Sequence, residues 1–403
     1  MVRRSMLGSL LAGVVAFGLM ASSAGSAWSA TVWTVLPTAN PASQTVSDII
    51  LFGVSAVSPT DAWAVGMDQI GATRSPLVEH WDGQRWRAVR VPRPANRQSW
   101  FNGVLALSGT DVWAVGESTN PQADNQDQRT LIEHWNGTVW SIVPSPNPAV
   151  NGNSGDVLMG IDGNGPNDLW TVGWAFDEPN QQIQMLLAHW NGSAWTAAPS
   201  PSPLGSAHFG TAVTTISPTD AWAVGNDSLE ENISAHWNGS QWTLVPTPSL
   251  HDGLSPINDL TGVTANAGSD VWASGYEANV NNQNFMKPYL LHWNGSAWRL
   301  IPTPNQGGEG SRLNGVVALA PNDVWAVGQT QELNGTILTL TQQFNGTAWT
   351  TVPSPNPGVN GPLILNSLDG VASAGNGVVV AVGSRAKEGQ CCLRTLAIGT
   401  TGG

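Results

Sequence analysis

The chain repeats itself. A triplet Asp-x-Trp recurs at Asp61–Trp63, Asp111–Trp113, Asp168–Trp170, Asp220–Trp222, Asp270–Trp272 and Asp323–Trp325, at steps of 50, 57, 52, 50 and 53 residues. A second phrase follows each triplet: "LVEHWDGQRW" (77–86), "LIEHWNGTVW" (131–140), "LLAHWNGSAW" (186–195), "ISAHWNGSQW" (233–242), "YLLHWNGSAW" (289–298) and "LTQQFNGTAW" (340–349). Proline-rich text such as "VPSPNP" (143–148) closes the unit. A period near fifty residues means that each repeat is one supersecondary unit, which buries its faces against its neighbours.

Each unit reads as four strands. The first is apolar, as in "GVLALS" (103–108); a tight turn leads to the second, "VWAVG" (112–116). After a loop of variable length comes "LIEHW" (131–135). An Asn-Gly pair then predicts a two-residue hairpin with positive φ at both positions, and "TVWSIV" (138–143) is the fourth strand. Alternation puts Trp113 and Val115 on one face of the second strand and Val112 and Ala114 on the other. Large-on-small stacking of such faces is what successive blades of a β-propeller require. The expectation is an all-β, seven-bladed β-propeller of four-stranded antiparallel blades. Its units lie at about 50–94, 101–148, 157–203, 210–250, 260–304, 313–357 and 368–403. In the last unit "GVASAGNGVVVAVG" (370–383) aligns on "GVVALAPNDVWAVG" (315–328), and "LRTLAIG" (393–399) supplies a third strand but no fourth follows. "TVWTVLP" (31–37) is a fourth strand without a blade. It is expected to complete the last blade and close the ring, removing two exposed sheet edges.

On "DVWAVG" (111–116, 323–328) and "HWNGTVW" (134–140), the chain resembles secreted bacterial β-propellers of the kelch and galactose-oxidase central-domain type over residues 31–403. It departs from kelch proper, which has a double glycine where this chain has one, as at Gly116. The resemblance implies a fold and export; it carries no activity.

Residues 1–27 read as a secretory signal: Arg3 and Arg4, then a mostly apolar run, then "GSA" (25–27) as a cleavage site. Residues 28–403 are then a single domain, expected outside the cell as a monomer. Losing the two arginines takes the formal charge from −13 to −15. So acidic a chain is not expected to bind nucleic acid or an anionic membrane by charge, and no other stretch reaches membrane-spanning length.

The repeat residues weigh towards scaffold. His80, His134, His189, His236 and His292 sit on third strands, far from the axis, and do not converge on one metal ion; they are expected to bond a turn carbonyl or the repeat Asp. The six repeat aspartates are expected to satisfy turn N–H groups. Of 21 tryptophans, only Trp28, Trp100 and Trp174 fall outside blade packing. Adjacent Cys391 and Cys392 can form a strained vicinal disulfide, make two links between chains, or stay as thiols. "DGNGPND" (162–168) has calcium-loop oxygens without a full loop's spacing, so no cofactor is expected and calcium has only this weak signal.

Function is expected on the face carrying the variable loops, 117–130, 174–184 and 276–288. Trp100, Phe101, Trp174, Phe176, Tyr276, Phe285 and Tyr289 fall on that face and are candidate ligand platforms. The first reading is a non-enzymatic binding module for an extracellular polysaccharide or a surface protein. The second is a glycosidase or lyase using Asp177, Glu178, Glu230, Glu231 or Glu277, which requires two carboxylates roughly 5–10 Å apart. The third is a structural component of a cell-surface assembly.

Overall fold

The computed structural model describes residues 31–40, 47–122, 127–148, 155–177, 182–203, 206–229, 231–248, 256–279, 282–304, 310–357, 365–386 and 392–400. The segment 1–27 expected as a signal lies outside them. Every regular element among the described residues is a β-strand, so no helix is long and apolar enough to cross a membrane. The strands form four-stranded antiparallel blades. In the second blade they are Gln98–Ser108, Asp111–Thr119, Gln128–Trp135 and Trp140–Val143. One eight-stranded sheet is two such sets joined by a single parallel pairing of Met286 with Gly310. The final sheet holds Asn366–Gly375, Val378–Ala386 and Leu393–Thr400, with Trp33–Val35 as its fourth strand. Trp33 lies opposite Thr400 there.

The blades stack large face on small. Trp63 and Val65 of the first blade share a core with Val112 and Ala114 of the second. Val380 and Val382 of the last share one with Ala62 and Ala64 of the first. Five second-strand tryptophans, Trp63, Trp113, Trp170, Trp222 and Trp272, each pack on their own histidine and on two rings of the next blade. Trp63 stacks on His80 at 4.3 Å, tilts against Trp135 at 5.5 Å and meets Trp140 edge-on at 5.7 Å. Trp325 meets Trp33 edge-on at 5.4 Å, so Trp33 holds the place that Trp140 holds for Trp63.

The histidines each bond the repeat aspartate through Nε2: His80–Asp61 2.8 Å, His134–Asp111 2.8 Å, His189–Asp168 2.7 Å, His236–Asp220 2.9 Å and His292–Asp270 2.8 Å. Gln343 replaces the histidine at Asp323, donating Nε2–H at 2.8 Å.

The Asn-Gly hairpins differ from the expectation. Trp135 pairs with Trp140, so the loop has four residues. Only its glycine has positive φ, 90° at Gly137; the asparagine does not. Instead Asn136 Oδ1 accepts the N–H groups of Thr138 and Val139, both at 3.0 Å. The side chain caps the turn, so the backbone at asparagine need not go left-handed.

Candidate functional site

Two local devices recur where the first and second strands pair. The glycine ending "VWAVG" has no room for a Cβ: at Gly116 it would overlap the Trp100 carbonyl, and at Gly328 the Arg312 carbonyl. One residue beyond that close approach, each first strand carries a β-bulge. The bulged residues, at register shifts such as Phe101/Gly103 and Leu313/Gly315, are Phe52, Asn102, Met159, Thr211, Thr261, Asn314 and Asp369. All seven line one cavity of about 720 Å³.

Four of them stitch blade to blade by bonding a first-strand carbonyl of the next. Asn102 Nδ2 donates to Leu158 O at 2.8 Å, Thr211 Oγ1 to Leu260 O at 2.6 Å, Thr261 Oγ1 to Leu313 O at 2.9 Å and Asn314 Nδ2 to Leu368 O at 2.8 Å. Asp369 takes Ser367 Oγ at 2.8 Å and Asn314 Nδ2 at 3.2 Å. Burial raises its carboxyl above the ordinary range.

Two residues before each bulge, first-strand side chains pair across to the residue after the second-strand glycine. The pairs run Ile50–Met67, Trp100–Glu117, Val157–Trp174, Phe209–Asn226, Asp259–Tyr276, Arg312–Gln329 and Ser367–Ser384. Ile50, Arg312, Gln329, Ser367 and Ser384 line the cavity; the other pairs hold the equivalent positions of their blades. The layer is divided. Blades 1 to 4 carry mainly apolar or aromatic groups, with Glu117 and Asn226 as polar members, and Trp174 meets Phe209 edge-on at 5.6 Å. Blades 5 to 7 carry hydrogen-bonding and charged groups. Tyr276 OH donates to Asp259 Oδ2 at 2.6 Å, while among the described residues Asp259 Oδ1 is buried without a partner. Burial also raises the Asp259 carboxyl. Arg312 bonds Gln329 Oε1 through Nη2 at 3.3 Å, and its Nε is buried and, among the described residues, unpaired.

The candidate platforms scatter. Phe101 is fully buried in the core of the first and second blades. Tyr289 is 5% exposed and donates its OH to Asn232 Oδ1 at 2.6 Å. Trp100 is nearly buried, with the Arg74 guanidinium 4.8 Å over its ring. Trp174, Phe176 and Tyr276 are half-buried on second strands. These aromatics stand on strands because the hairpins run well past the glycine, so stretches expected as loops are ladder. The side chain of Phe285 lies outside the described residues, as do those of Asp177, Glu178 and Glu230. Glu231 and Glu277 are half-buried. Cys392 is buried, and Cys391 lies outside the described residues. Asp162 of the expected glycine turn accepts Thr215 N–H at 2.8 Å and Thr215 Oγ1 at 3.2 Å, another link between neighbouring blades. Among the described residues no three His, Cys, Asp or Glu side chains cluster to hold a metal.

Sequence reasoning passed over Arg312, Asp259, Gln329 and Asp369. The signal was present: "WFNGV" (100–104), "DLTGV" (259–263), "RLNGV" (312–316) and "SLDGV" (367–371) align, and the variable positions flank the recurring apolar residue.

No family model matches the chain, and no curated protein matches it. Among solved structures it is similar to several β-propellers. YCF48 from Cyanidioschyzon merolae has a TM-score of 0.51 at 14% identity, over 91% of this chain and 98% of that one. A protein of unknown function from Dyadobacter fermentans DSM 18053 gives 0.51 at 10%, over 92% and 97%. Polysaccharide lyase Uly1 gives 0.51 at 8%, over 85% and 88%. At these identities the likeness shows the fold alone.

Proposed function

We propose that the chain is an exported, ring-closed propeller of seven blades, of the kelch and galactose-oxidase central-domain type, acting as a non-enzymatic binding module. Its ligand is an extracellular polysaccharide, engaged at the axial channel mouth. The observation that carries this reading is the divided layer: a mainly apolar arc over blades 1 to 4, in which Glu117 and Asn226 are the polar members, faces a hydrogen-bonding arc over blades 5 to 7. A pyranose ring has that same division, with apolar C–H faces and polar edges. The second-strand candidates Trp174 and Tyr276 belong to this layer, one in each arc.

Oligosaccharide arrays and calorimetry on residues 28–403 test it. Binding is expected, with Trp174→Ala and Tyr276→Phe each weakening it about tenfold or less, in keeping with one stacking or hydrogen-bond contact. If no neutral or acidic oligosaccharide is retained, or if a surface protein binds in its place, the polysaccharide reading is wrong.

A further inference from the structure

The proline-rich tail of the first blade is unlike the other six. From its fourth-strand tryptophan the second blade reads "WSIVPSPN" (140–147), and the first reads "WRAVRVPR" (86–93). Arg90 stands where every other blade has proline, and Arg93 where every other blade has asparagine or serine. The stretch 85–97 holds five of the chain's fifteen lysines and arginines. Arg87 is paired with Asp82 at 2.7 Å and Arg97 with Asp127 at 2.8 Å. Arg85, Arg90 and Arg93 are exposed, and among the described residues none of the three is in a salt bridge.

The same change removes a clasp. In the other blades the tail is tied back to its own third strand. Asn147 Oδ1 accepts Thr130 N–H at 2.9 Å, Ser202 Oγ accepts Met185 N–H at 3.1 Å, Asn356 Oδ1 accepts Thr339 N–H at 2.7 Å and Asn40 Oδ1 accepts Thr395 N–H at 3.0 Å. The Thr247 and Thr303 hydroxyls donate to Asn232 O at 3.3 Å and to Pro288 O at 3.0 Å. In the first blade the corresponding residues are Pro76, Val91 and Arg93. Proline has no N–H and valine no hydroxyl. All three line a cavity of about 1050 Å³ between this tail and the second-blade hairpin. Leu77, Val89, Trp135 and Val139 give it an apolar floor, and Val139 is 55% exposed. Arg90 and Arg93 are its cations. Asp68 is the one carboxylate among the described lining residues, and burial raises it despite the Arg93 charge. The groove lies at the fourth-strand edge of the blades, opposite the first strands that line the 720 Å³ cavity.

We propose that this inter-blade groove is a docking site for an extended acidic segment of another protein. Its carboxylates pair with Arg85, Arg90 and Arg93, and its apolar side chains lie on the floor. A guanidinium edge meets a carboxylate with two parallel hydrogen bonds. An extended chain turns alternate side chains to opposite sides, which suits a groove with an apolar floor and a cationic rim; the hydroxyls of a sugar chain have no match on that floor. Charge points to a partner outside this chain, which is itself acidic. The site stands apart from the channel mouth and does not rest on the polysaccharide reading.

The test titrates residues 28–403 with a short peptide alternating glutamate and leucine, its glutamine analogue and a sulfated oligosaccharide of similar charge. The acidic peptide is expected to bind wild type about tenfold more tightly than the glutamine analogue, and less tightly as salt is raised. The double variant Arg90→Pro with Arg93→Asn gives the first blade the residues that its neighbours carry, so it should melt like wild type. It should lose about a tenfold preference for the acidic peptide. Arg90→Gln with Arg93→Gln gives the same readout if the proline disturbs the tail. Equal affinity of wild type and both variants for the acidic peptide overturns the site, as does equal binding of the two peptides. An oligosaccharide that binds with the same arginine dependence while the peptides fail assigns the groove to a glycan and overturns the protein partner. Failure of all three probes at low salt overturns the site outright. None of these results bears on the channel mouth, where Trp174→Ala and Tyr276→Phe are read separately.

Discussion

At the residue scale, three glutamates stand out because the fold buries them. Glu79, Glu117 and Glu133 sit at 0%, 6% and 0% exposure. Burial pushes Glu79 and Glu117 up to about 7 and Glu133 up to about 8, from 4.5. Glu79 accepts the Ala39 N–H at 3.3 Å and Glu117 accepts Gln128 Nε2–H at 2.9 Å, but both Glu133 oxygens lack a partner among the described residues. The same third-strand position in the sixth blade is Gln342, whose Nε2–H is donated to Pro304 O. Pro304 lies six residues past Trp298, as Ala39 lies six past Trp33 and Pro92 six past Trp86. Ala39 has an N–H to offer Glu79. Pro92 has only a carbonyl, which suits an amide or a protonated carboxyl. Glu133→Gln should therefore stabilise the fold at pH 7.5 by about 1–3 kcal/mol in denaturant unfolding; a neutral or destabilising result refutes the pairing with Pro92. The sign of the pH dependence follows. The folded state holds these three protons more tightly than the unfolded chain, so their contribution is full below about pH 4.5. It is lost as pH rises through 7 and 8. Asp127, held down by Arg97, acts oppositely and loses its contribution in acid. Thermal stability should peak near pH 5–6 and fall towards pH 8, less steeply in Glu133→Gln.

At the element scale, the segment 31–40 does more than add three ladder residues. Trp33 is 5% exposed and fills the Trp325 corner. Asn40 Oδ1 accepts Thr395 N–H at 3.0 Å and Thr395 Oγ1 at 3.1 Å. Asn147 does the same for Thr130 N–H at 2.9 Å and Asn356 for Thr339 N–H at 2.7 Å, each in the proline-rich tail of its own blade. The segment thus behaves as the tail of the last blade. Trp33→Ala should cost about 3–5 kcal/mol, the usual range for emptying a buried tryptophan site, and match Trp140→Ala within about 1 kcal/mol. A much smaller loss at Trp33 would show that the segment is only laid onto the last sheet. These elements were legible in the sequence because the blade marks are repeated: Asp, Trp, His and Gly recur at positions where one geometry recurs. The hairpin was misread because Asn-Gly suits two turn types, and only the side-chain acceptor separates them. The aromatics of 174–184 and 276–288 were misplaced onto loops because strand length beyond the glycine leaves no mark of its own. The channel mouth was hardest to see. Its residues are the ones in which blades differ, and a single Arg312 has no copy to draw attention to it.

At the scale of the whole molecule, the last blade is assembled from both ends of the described chain, and its register tells how to join them. Trp33 is opposite Thr400 in the last sheet, just as Trp195 is opposite Trp190 in the third. In the third blade the intervening loop is Asn191-Gly192-Ser193-Ala194. Its Asn191 Oδ1 accepts Ser193 N–H at 3.0 Å and Ala194 N–H at 3.1 Å, while Gly192 takes φ of 90°. The same four residues placed between Thr400 and Trp33 should therefore close the last blade as an ordinary hairpin. New ends can be opened between Trp242–Leu244 and Pro256–Ala267, where one blade gives way to the next. The permutant trades a seam held by one short strand for a seam held by the faces of two complete blades. Loop closure changes by only a few tenths to about 1 kcal/mol, because its entropy grows as the logarithm of length. The permutant should fold to a monomer with one cooperative transition, melting within about 5 °C of the parent. Trp33→Ala should cost as much in it as in the parent, since the ring contacts are the same. A permutant that expresses but melts in two separated steps, or that opens into higher oligomers, would mean that the blades do not meet around the axis, and the cavity lined by all seven bulges would lose its standing as a channel.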